Sequence, residues 1–423
     1  MSPLRVLLVT DSFPPGSGGS GWSTFELARQ LRLRGHDISV VHAAPGATTD
    51  VAHETCEGIA VTRFRTRVPN VPVLRNVLKN ERLWASLAQH IIDRHARSPF
   101  DVLHAQHVMT TVPSVRAGQR LDLPVVATVR DYWPVCYWSD LIIDPSQREL
   151  CPSCTTTNMR TCTLHRPGSP GPAAWAMIPY MRANLRRKQS ALARADAVIG
   201  VSSAISRDLL ARSPGLPVDR LQTIPNPVDM TDLDPPGDAG REPCVLYAGK
   251  LATNKGVQFL LPALDEAGVT WPLKVIGDGP LRPQLEADAA RRGRSVQWLG
   301  WRDRSDVLSA MRRAAVLAFP SYGPESLSRV LIEASALGLP TAAMDTGGTR
   351  DILNNNTTGL LSATPEDFAR DLARLCGDEA LRRRLGSAAA QHVRAQFEAS
   401  SVAARVEAVY RRLLTPDRGR PSA

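Results

Sequence analysis

Short hydrophobic runs rich in β-branched residues alternate with amphipathic segments along the first half of the chain. Runs of this kind, bounded by turn residues, indicate buried strands. They are RVLLVT (5–10), ISVVHA (38–43), VLHAQ (102–106), VVATV (125–129) and AVIGVS (197–202). Helical patterns lie between them, such as STFELARQLRLRG, which ends at Gly35 after arginines. The alternation predicts βαβ units around a parallel sheet.

A second series of strands begins after residues 212–243, a stretch rich in proline, aspartate and glycine that indicates a linker. Its strands are CVLYAG (244–249), LKVIGDG (273–279), VQWLGW (296–301), AVLAFP (315–320), PTAAMD (340–345) and TGLLSA (358–363). Long helices follow from about Glu366 to Leu414, and the tail TPDRGRPSA has the composition of a disordered segment.

These patterns predict an α/β protein with two doubly wound, Rossmann-like domains whose parallel sheets face a central cleft. We assign residues 1–230 to the first domain and 231–399 to the second, and expect a helix at about 400–415 to pack back onto the first. A chain of 423 residues also exceeds what one hydrophobic core usually serves.

The composition and charge of the chain indicate which binding partners and which cellular location to expect. The net charge is +10, but no basic run is interleaved with aromatic residues, so we expect no nucleic-acid partner. A diffuse basic surface suits anionic small substrates or an anionic membrane face. No apolar run is long enough to span a bilayer and the N-terminus does not read as a secretion signal. We therefore expect a cytoplasmic protein, with peripheral contact at the inner face of the membrane as a second expectation.

A glycine-rich turn follows the first predicted strand, in GSGGSGWSTFELARQL (16–31). Glycines such as Gly18 and Gly19 let a backbone approach a ligand closely, and the next helix offers free N–H groups to an anion. The spacing differs from G-x-G-x-x-G, and the second strand ends in His42 and Ala43 rather than in an acidic residue. A nicotinamide cofactor is therefore not expected.

Two glutamates, Glu325 and Glu333, lie in the segment PSYGPESLSRVLIEASALGLP (320–340). Apolar residues at helical spacing predict an amphipathic helix through it, with the N–H groups of Ser326 and Leu327 at its start. Eight helical positions would separate the two glutamates by about 12 Å, which suits a sugar at one end of a diphosphate and a ribose at the other. The alternative is that both are ordinary surface residues.

Lys250 and Lys255 lie in the loop after the first strand of the second domain. Two ammonium groups at the carboxyl end of a parallel strand can hold a diphosphate, although two solvated lysines would give the same pattern.

Four cysteines lie close together in sequence, at 136, 151, 154 and 162, with His165 near them. A structural zinc site, a local disulfide and a loop of reduced cysteines all fit this spacing. No metal is expected at the candidate functional site itself.

Several motifs together resemble the retaining family 4 glycosyltransferases of the GT-B fold, over nearly the whole length. Besides the glycine turn and the two glutamates, these motifs are ADAVIGVSSAI (195–205), IPNPVD (224–229), GK-x4-KG (249–256), VIGDGP (275–280), LIEASALGLP (331–340) and DTGGTRDIL (345–353). The resemblance implies an NDP-sugar donor, with UDP or GDP as its nucleotide, held mainly by the second domain. The acceptor, which would be a sugar, a lipid-linked or a small molecule, would enter from the first domain.

The resemblance also implies roles for the residues singled out above. Glu325 would bind hydroxyls of the transferred sugar, and Glu333 would bind the ribose. Lys250 and Lys255 would neutralise the diphosphate leaving group, so that no metal or further cofactor is needed. Family members usually have arginine where Lys250 stands. The nucleotide base would lie near Gly300 and Trp301.

Arg130 marks a departure from the family. The stretch VVATVRDYWPVC has Arg130-Asp131 where relatives typically read His-Asp, with the histidine beside the reacting sugar. A guanidinium does not deprotonate in proteins and cannot act as a general base. We expect Arg130 instead to stabilise phosphate or an acidic acceptor.

Two other functions stay open for this chain. One is a nucleotide-sugar-binding GT-B protein with weak or lost catalysis, and the other is a GT-B sugar-nucleotide epimerase. The basic, partly apolar segments 67–87 and 175–189 could dock on anionic lipid, or they could be solvated faces of packed helices.

Overall fold

The computed structural model describes residues 2–46, 48–68, 75–144, 149–166, 168–235 and 240–415. It divides into two compact units. The first comprises residues 1–139, 153–227 and 399–423, and the second comprises residues 140–152 and 228–398. The main change of unit falls between Pro227 and Val228, close to the boundary predicted at 230. The sequence patterns did not predict that residues 140–152 belong to the second unit. Most of the tail predicted to be disordered lies outside the described residues.

The strands alternate with helices along both units. In chain order they are β1 (Arg5–Thr10), β2 (Asp37–Gly46), β3 (Asp50–Cys56), β4 (Ile59–Arg67), β5 (Val102–Ala105), β6 (Val125–Val129), β7 (Ile142–Asp144), β8 (Glu149–Leu150), β9 (Ala197–Gly200), β10 (Leu221–Thr223), β11 (Glu242–Ala248), β12 (Leu273–Ile276), β13 (Val296–Gly300), β14 (Ala314–Phe319), β15 (Thr341–Met344) and β16 (Leu360–Ser362).

The helices are α1 (Gly19–Leu33), α2 (Arg75–Arg97), α3 (Val108–Leu121), α4 (Thr156–Leu164), α5 (Ile178–Arg194), α6 (Ser203–Arg212), α7 (Leu260–Glu266), α8 (Arg282–Arg291), α9 (Arg304–Arg313), α10 (Arg329–Ala336), α11 (Thr349–Ile352), α12 (Pro365–Gly377), α13 (Glu379–Phe397) and α14 (Ala399–Leu414). Within the described ranges, no helix is both long enough and apolar enough to cross a membrane.

The first unit is built on an eight-stranded sheet in the order β10-β9-β6-β5-β1-β2-β4-β3. Its strands pair in parallel except for the β3–β4 hairpin. The predicted strands are present, but this hairpin and β10 were missed. The reason for the hairpin is that β3 carries mostly exposed polar residues, so it lacks a hydrophobic run. Its turn is made by Glu57 and Gly58, both at positive φ (45° and 76°).

The last helix, α14, completes the core of the first unit. It packs against α1, and Tyr410 is fully buried among strand residues. The Tyr410 hydroxyl lies 2.6 Å from His104 Nδ1, and the other ring nitrogen of His104 lies 2.7 Å from Thr128 Oγ1. Burial, reinforced by nearby Arg130, holds the pKa of His104 well below its ordinary value. His104 therefore serves as a neutral hydrogen-bonding link between the sheet and α14.

The second unit is built on a six-stranded sheet in the order β13-β12-β11-β14-β15-β16, and each strand pairs in parallel with its neighbours. Its core lies between the sheet and helices that include α7 and α12. Strands β7 and β8, from the 140–152 excursion, form a separate antiparallel pair. Both large sheets are thus Rossmann-like, as the alternation of strands and helices predicted.

Candidate functional site

Loops after the strands of the second sheet pack against one another at its carboxyl edge. Gly256 has φ +65°, and a Cβ atom there would lie 1.8 Å from the carbonyl oxygen of Pro320. Gly347 has φ +53°, and its Cβ would lie 2.1 Å from the carbonyl oxygen of Glu325. Such contacts leave room for no side chain at either position. The backbone at Pro320 is therefore packed against the loop of Gly256, and the backbone at Glu325 against the loop of Gly347.

Glu325 and Lys255 meet at this edge. Lys255 Nζ lies 2.5 Å from Glu325 Oε1, and the Ser321 hydroxyl donates to the same oxygen at 2.5 Å. Glu325 is 8% exposed. Among the described residues, no partner lies within hydrogen-bonding distance of its other oxygen, Oε2. The carboxylate therefore has one oxygen fixed by the protein and one that can accept a ligand hydroxyl.

The helix after Glu325 begins later than predicted. It starts at Arg329, and the side chain of Ser328 caps it by accepting the N–H of Leu331 at 3.4 Å. Ser326 and Leu327 precede this cap, so their N–H groups do not form the helix N-terminus, and the prediction was wrong on this point. The continuous helix from which the separation of Glu325 and Glu333 was inferred is also absent, because only residues from Arg329 onward are helical. Ser326 and Ser328 are both suitable caps, and the sequence pattern alone does not choose between them.

Glu333 is 5% exposed and is held by two arginines. Its Oε1 accepts Arg304 Nε at 2.8 Å and Arg329 Nε at 3.0 Å. Neither arginine was singled out from the sequence. Arg329 lies one helical turn before Glu333, which is a spacing the sequence does show, whereas Arg304 arrives from another helix through the fold.

Lys250 and Trp301, two other residues predicted for the site in the second unit, are more exposed to solvent than Glu325 and Glu333. The Lys250 side chain is exposed, and its carbonyl oxygen accepts the hydroxyl of Tyr247 at 2.9 Å. Gly300 ends β13 with φ +68°, and Trp301 after it is 77% exposed. Lys250 and Trp301 thus project from the loops that follow β11 and β13, at the same edge of the sheet as Glu325.

In the first unit, Gly18 caps α1 with its backbone, and Gly19 is the first helical residue. A Cβ atom at Gly18 would meet nothing within 4 Å, so the space in front of this turn is open. The cap has no side-chain hydrogen bond. The start of α1 therefore has no capping side chain at its N-cap position, so the anion-binding role predicted for this turn remains a prediction.

A charged triplet that the sequence reasoning missed lies at the carboxyl edge of the first sheet. His107 Nδ1 lies 3.1 Å from Asp11, and Nε2 lies 3.2 Å from Asp131 Oδ2. Burial disfavours the imidazolium, but attraction and hydrogen bonding by Asp11 and then Asp131 outweigh it and raise the pKa of His107 to about 10. A histidine two residues beyond a buried strand was the signal that could have found it.

The guanidinium group of Arg130 donates hydrogen bonds to two other residues of the first unit. Its Nη1 and Nη2 donate to the carbonyl and side-chain oxygens of Gln106, at 2.5 and 2.6 Å, and its Nε donates to Asn226 at 2.9 Å. The residue is 6% exposed, and burial lowers its pKa to about 10. Arg130 therefore remains a cation that ties the ends of two strands to the IPNPVD loop.

The four cysteines that lie close together in sequence differ in burial. Cys136, Cys151 and Cys162 are buried, and Cys154 is partly buried. Across the ranges that the structure describes, no group of three or more His, Cys, Asp or Glu side chains is arranged to hold a metal ion.

Two family profiles match consecutive parts of the chain. The one described as "Glycosyltransferase Family 4" matches residues 17–232, and the one described as "Glycosyl transferases group 1" matches residues 231–392. The first match alone covers more than half of the chain.

Individual proteins are similar over most of their length. Glycogen synthase of Mycobacterium tuberculosis is 24% identical over 438 residues, covering 96% of this chain and 94% of that protein. D-inositol 3-phosphate glycosyltransferase of Xylanimonas cellulosilytica is 26% identical, with coverages of 89% and 88%. The crystal structure of Anabaena HepE in complex with UDP superposes with a TM-score of 0.65 at 19% identity, covering 97% and 100%. At this identity the structural likeness concerns the fold.

Proposed function

Because this chain belongs to the family 4 glycosyltransferases and has their GT-B fold, we propose that it transfers a sugar, with retention, from an NDP-sugar. The donor is a UDP- or GDP-sugar, and the acceptor is a sugar, a lipid-linked or a small molecule in bacterial glycan, polysaccharide or glycolipid synthesis. The observation that carries this proposal is Glu325, fixed by Lys255 and Ser321 with one carboxylate oxygen left open.

The open oxygen of Glu325 accepts hydroxyl groups of the transferred sugar. The ammonium group of Lys255 has three donors, of which Glu325 uses one, so two are left for oxygens of the diphosphate. Lys250, exposed in the same loop, supplies a second positive charge. Lysine in place of the family's usual arginine keeps that charge but loses the bidentate geometry.

The chemical step transfers the C1 carbon of the sugar between two oxygens on one face. The bond from C1 to the diphosphate oxygen breaks, and the bond from C1 to the acceptor oxygen forms. The leaving phosphate takes the acceptor's proton, so no side-chain base is needed. The two lysines stabilise the negative charge as it develops on the diphosphate, which is the main electrostatic contribution and requires no metal.

The same proposal assigns the other contacts with the NDP-sugar. Glu333 takes the ribose, and the base lies by Gly300 and Trp301. The turn at Gly18 and Gly19, in the first unit, binds an anionic group of a substrate through the first N–H groups of α1. Arg130, held by Gln106 and Asn226, shapes the acceptor side without acting as a base. We place the protein in the cytoplasm, with peripheral membrane contact if the acceptor is lipid-linked.

The test combines a donor panel with two variants. UDP-, GDP- and ADP-sugars are incubated with cell-extract acceptors, and sugar release and transfer are followed by mass spectrometry. With the active donor, Glu325→Ala should lower kcat about 10- to 100-fold, because a charge-assisted contact to the reacting sugar is lost. Glu333→Ala should mainly raise KM, since ribose contacts change little along the reaction.

Glu379→Gln serves as the control, because Glu379 is an exposed carboxylate on α13. Equal, purely KM effects at Glu325 and Glu333 would contradict the assigned roles. Nucleotide-sugar binding without turnover would favour the binding-protein alternative, and conversion of one NDP-sugar into another would favour the epimerase.

A further inference from the structure

Two guanidinium groups converge on one oxygen of Glu333. Arg304 Nε and Arg329 Nε lie 2.8 and 3.0 Å from Oε1. The carboxylate side chain is 6% exposed, that of Arg329 is 13% exposed and that of Arg304 is 33% exposed. One negative charge thus faces two positive charges in a largely buried place. Two donors from different helices thus converge on a single acceptor atom.

Both arginines occupy unfavourable positions in their helices. Arg304 is the first residue of α9, and Arg329 is the first residue of α10. Cations are disfavoured at the positive end of the helix dipole, and two guanidinium groups at one acceptor also repel each other. Residues that break local rules in this way are expected at functional sites. The positions of the two arginines are therefore explained by their contact with Glu333 and not by the stability of their helices.

The geometry leaves the second oxygen of Glu333 open. Among the described residues, no partner lies within hydrogen-bonding distance of Oε2. Both N–H donors act on Oε1, from two different helices, so the plane of the carboxylate cannot turn freely about its last bond. Glu325 shows the same pattern, with Oε1 bound by Lys255 and Ser321. Each glutamate thus presents one oxygen in a set direction.

We propose that Arg304 and Arg329 are positioning residues that hold Glu333 by Oε1, so that Oε2 accepts a ribose hydroxyl of the donor nucleotide. The inference rests on the proposed function, because Glu333 is the ribose contact only if the donor is a nucleotide sugar. Its consequence is specificity for the ribose. When the nucleotide lacks this ribose hydroxyl, a carboxylate held in place loses its hydrogen bond and cannot turn toward another partner. A mobile carboxylate can turn and accept a hydrogen bond from water, so it distinguishes the two nucleotides less.

The experiment measures nucleotide affinity by calorimetry. UDP, GDP and ADP are first titrated into the natural protein, and the one that binds is then compared with its 2′-deoxy and 3′-deoxy forms. We expect at least one deoxy form to bind about 10- to 100-fold more weakly, as for a lost hydrogen bond to a charged group. In Arg304→Met and Arg329→Met this ratio should fall several-fold toward one. Arg329→Lys should restore part of it.

Arg313→Met is the matched control. Arg313 is the last residue of α9 and bonds to Ser309, so this variant removes the same charge from the same helix without touching Glu333. Its ratio should equal that of the natural protein. Either single methionine variant leaves Glu333 with one guanidinium, so neither leaves a buried carboxylate without a counter-charge.

The outcomes separate the inference from the function on which it rests. If none of the three nucleotides binds, the proposed function is wrong. If a nucleotide binds but the methionine variants weaken the ribose and deoxy forms equally, the arginines are merely structural or electrostatic and the positioning role is overturned. A ratio in the Arg313→Met control as low as in the other variants would also overturn it.

Discussion

Glu407 anchors the last helix to the first unit, and replacing it by glutamine should loosen that helix. Its Oε2 accepts Arg34 Nε at 2.7 Å, and its Oε1 accepts Arg411 Nε at 2.8 Å. His36 Nε2 lies 3.3 Å from Oε1, while His36 Nδ1 accepts the N–H of Leu4 at 3.1 Å. The Glu407 side chain is 8% exposed. The tie therefore joins α14 to the turn after α1.

The magnitude follows from the pKa of Glu407. Burial alone would raise this pKa, but hydrogen bonds from Arg34, Arg411 and His36 outweigh burial and lower it from 4.5 to about 2. At about 1.36 kcal/mol for each pH unit, this difference corresponds to roughly 3 kcal/mol at neutral pH. Glutamine keeps one oxygen acceptor, so roughly 3 kcal/mol is an upper limit for Glu407→Gln.

Hydrogen exchange of peptides covering α14 measures this effect locally, which suits a chain of two units better than a single melting curve. At pH 7 the variant should exchange up to about a hundredfold faster than the natural protein. Because the pKa is lower in the folded state, the stabilisation is present above the unfolded value of about 4.5. It is lost as the pH falls toward 2, so the two proteins should converge there.

Glu379→Gln provides the comparison. Glu379 pairs with Arg383 one helical turn away, but its side chain is 63% exposed, so its loss should change protection by less than about 0.5 kcal/mol. A Glu407→Gln effect as small as that of the control, or a difference that stays constant from pH 7 to pH 3, would refute the reasoning.

Two further substitutions test the site. Gly256→Ala should abolish donor turnover and lower the melting temperature, because its Cβ would meet the Pro320 carbonyl at 1.8 Å; activity near that of the parent would show that the loop can move aside. Arg130→His should lower both stability, by about 2–4 kcal/mol, and activity, because histidine cannot replace three donors to Gln106 and Asn226. The natural protein's turnover should be flat with pH near neutrality. A more active Arg130→His variant with a new pKa near 6.5 would contradict this reading and favour a weakened catalyst.

The architecture and the main candidate residues could be predicted from the amino-acid sequence. Buried parallel strands are near-continuous hydrophobic runs, so β1, β6 and their counterparts in the second sheet could be located from local pattern alone. Lys255 and Glu325 were each singled out from the sequence, but their contact with each other was not predicted and appears only in the structure. Elements whose stability depends on partners were missed, such as the polar strand β3 and the short strand β10.

Which side chains contact one another at the candidate site could not be predicted from the sequence and depends on the folded chain. Ser328 rather than Ser326 caps α10, since a cap is chosen by backbone geometry and either serine has the required side chain. Arg304 reaches Glu333 across 29 positions of the chain, a contact that no periodicity encodes. The environment of Arg130 likewise depends on Gln106 and Asn226, which are brought to it from distant loops. Local pattern sets secondary structure, whereas the direction and partners of a buried charge are set by the packing of residues remote in sequence.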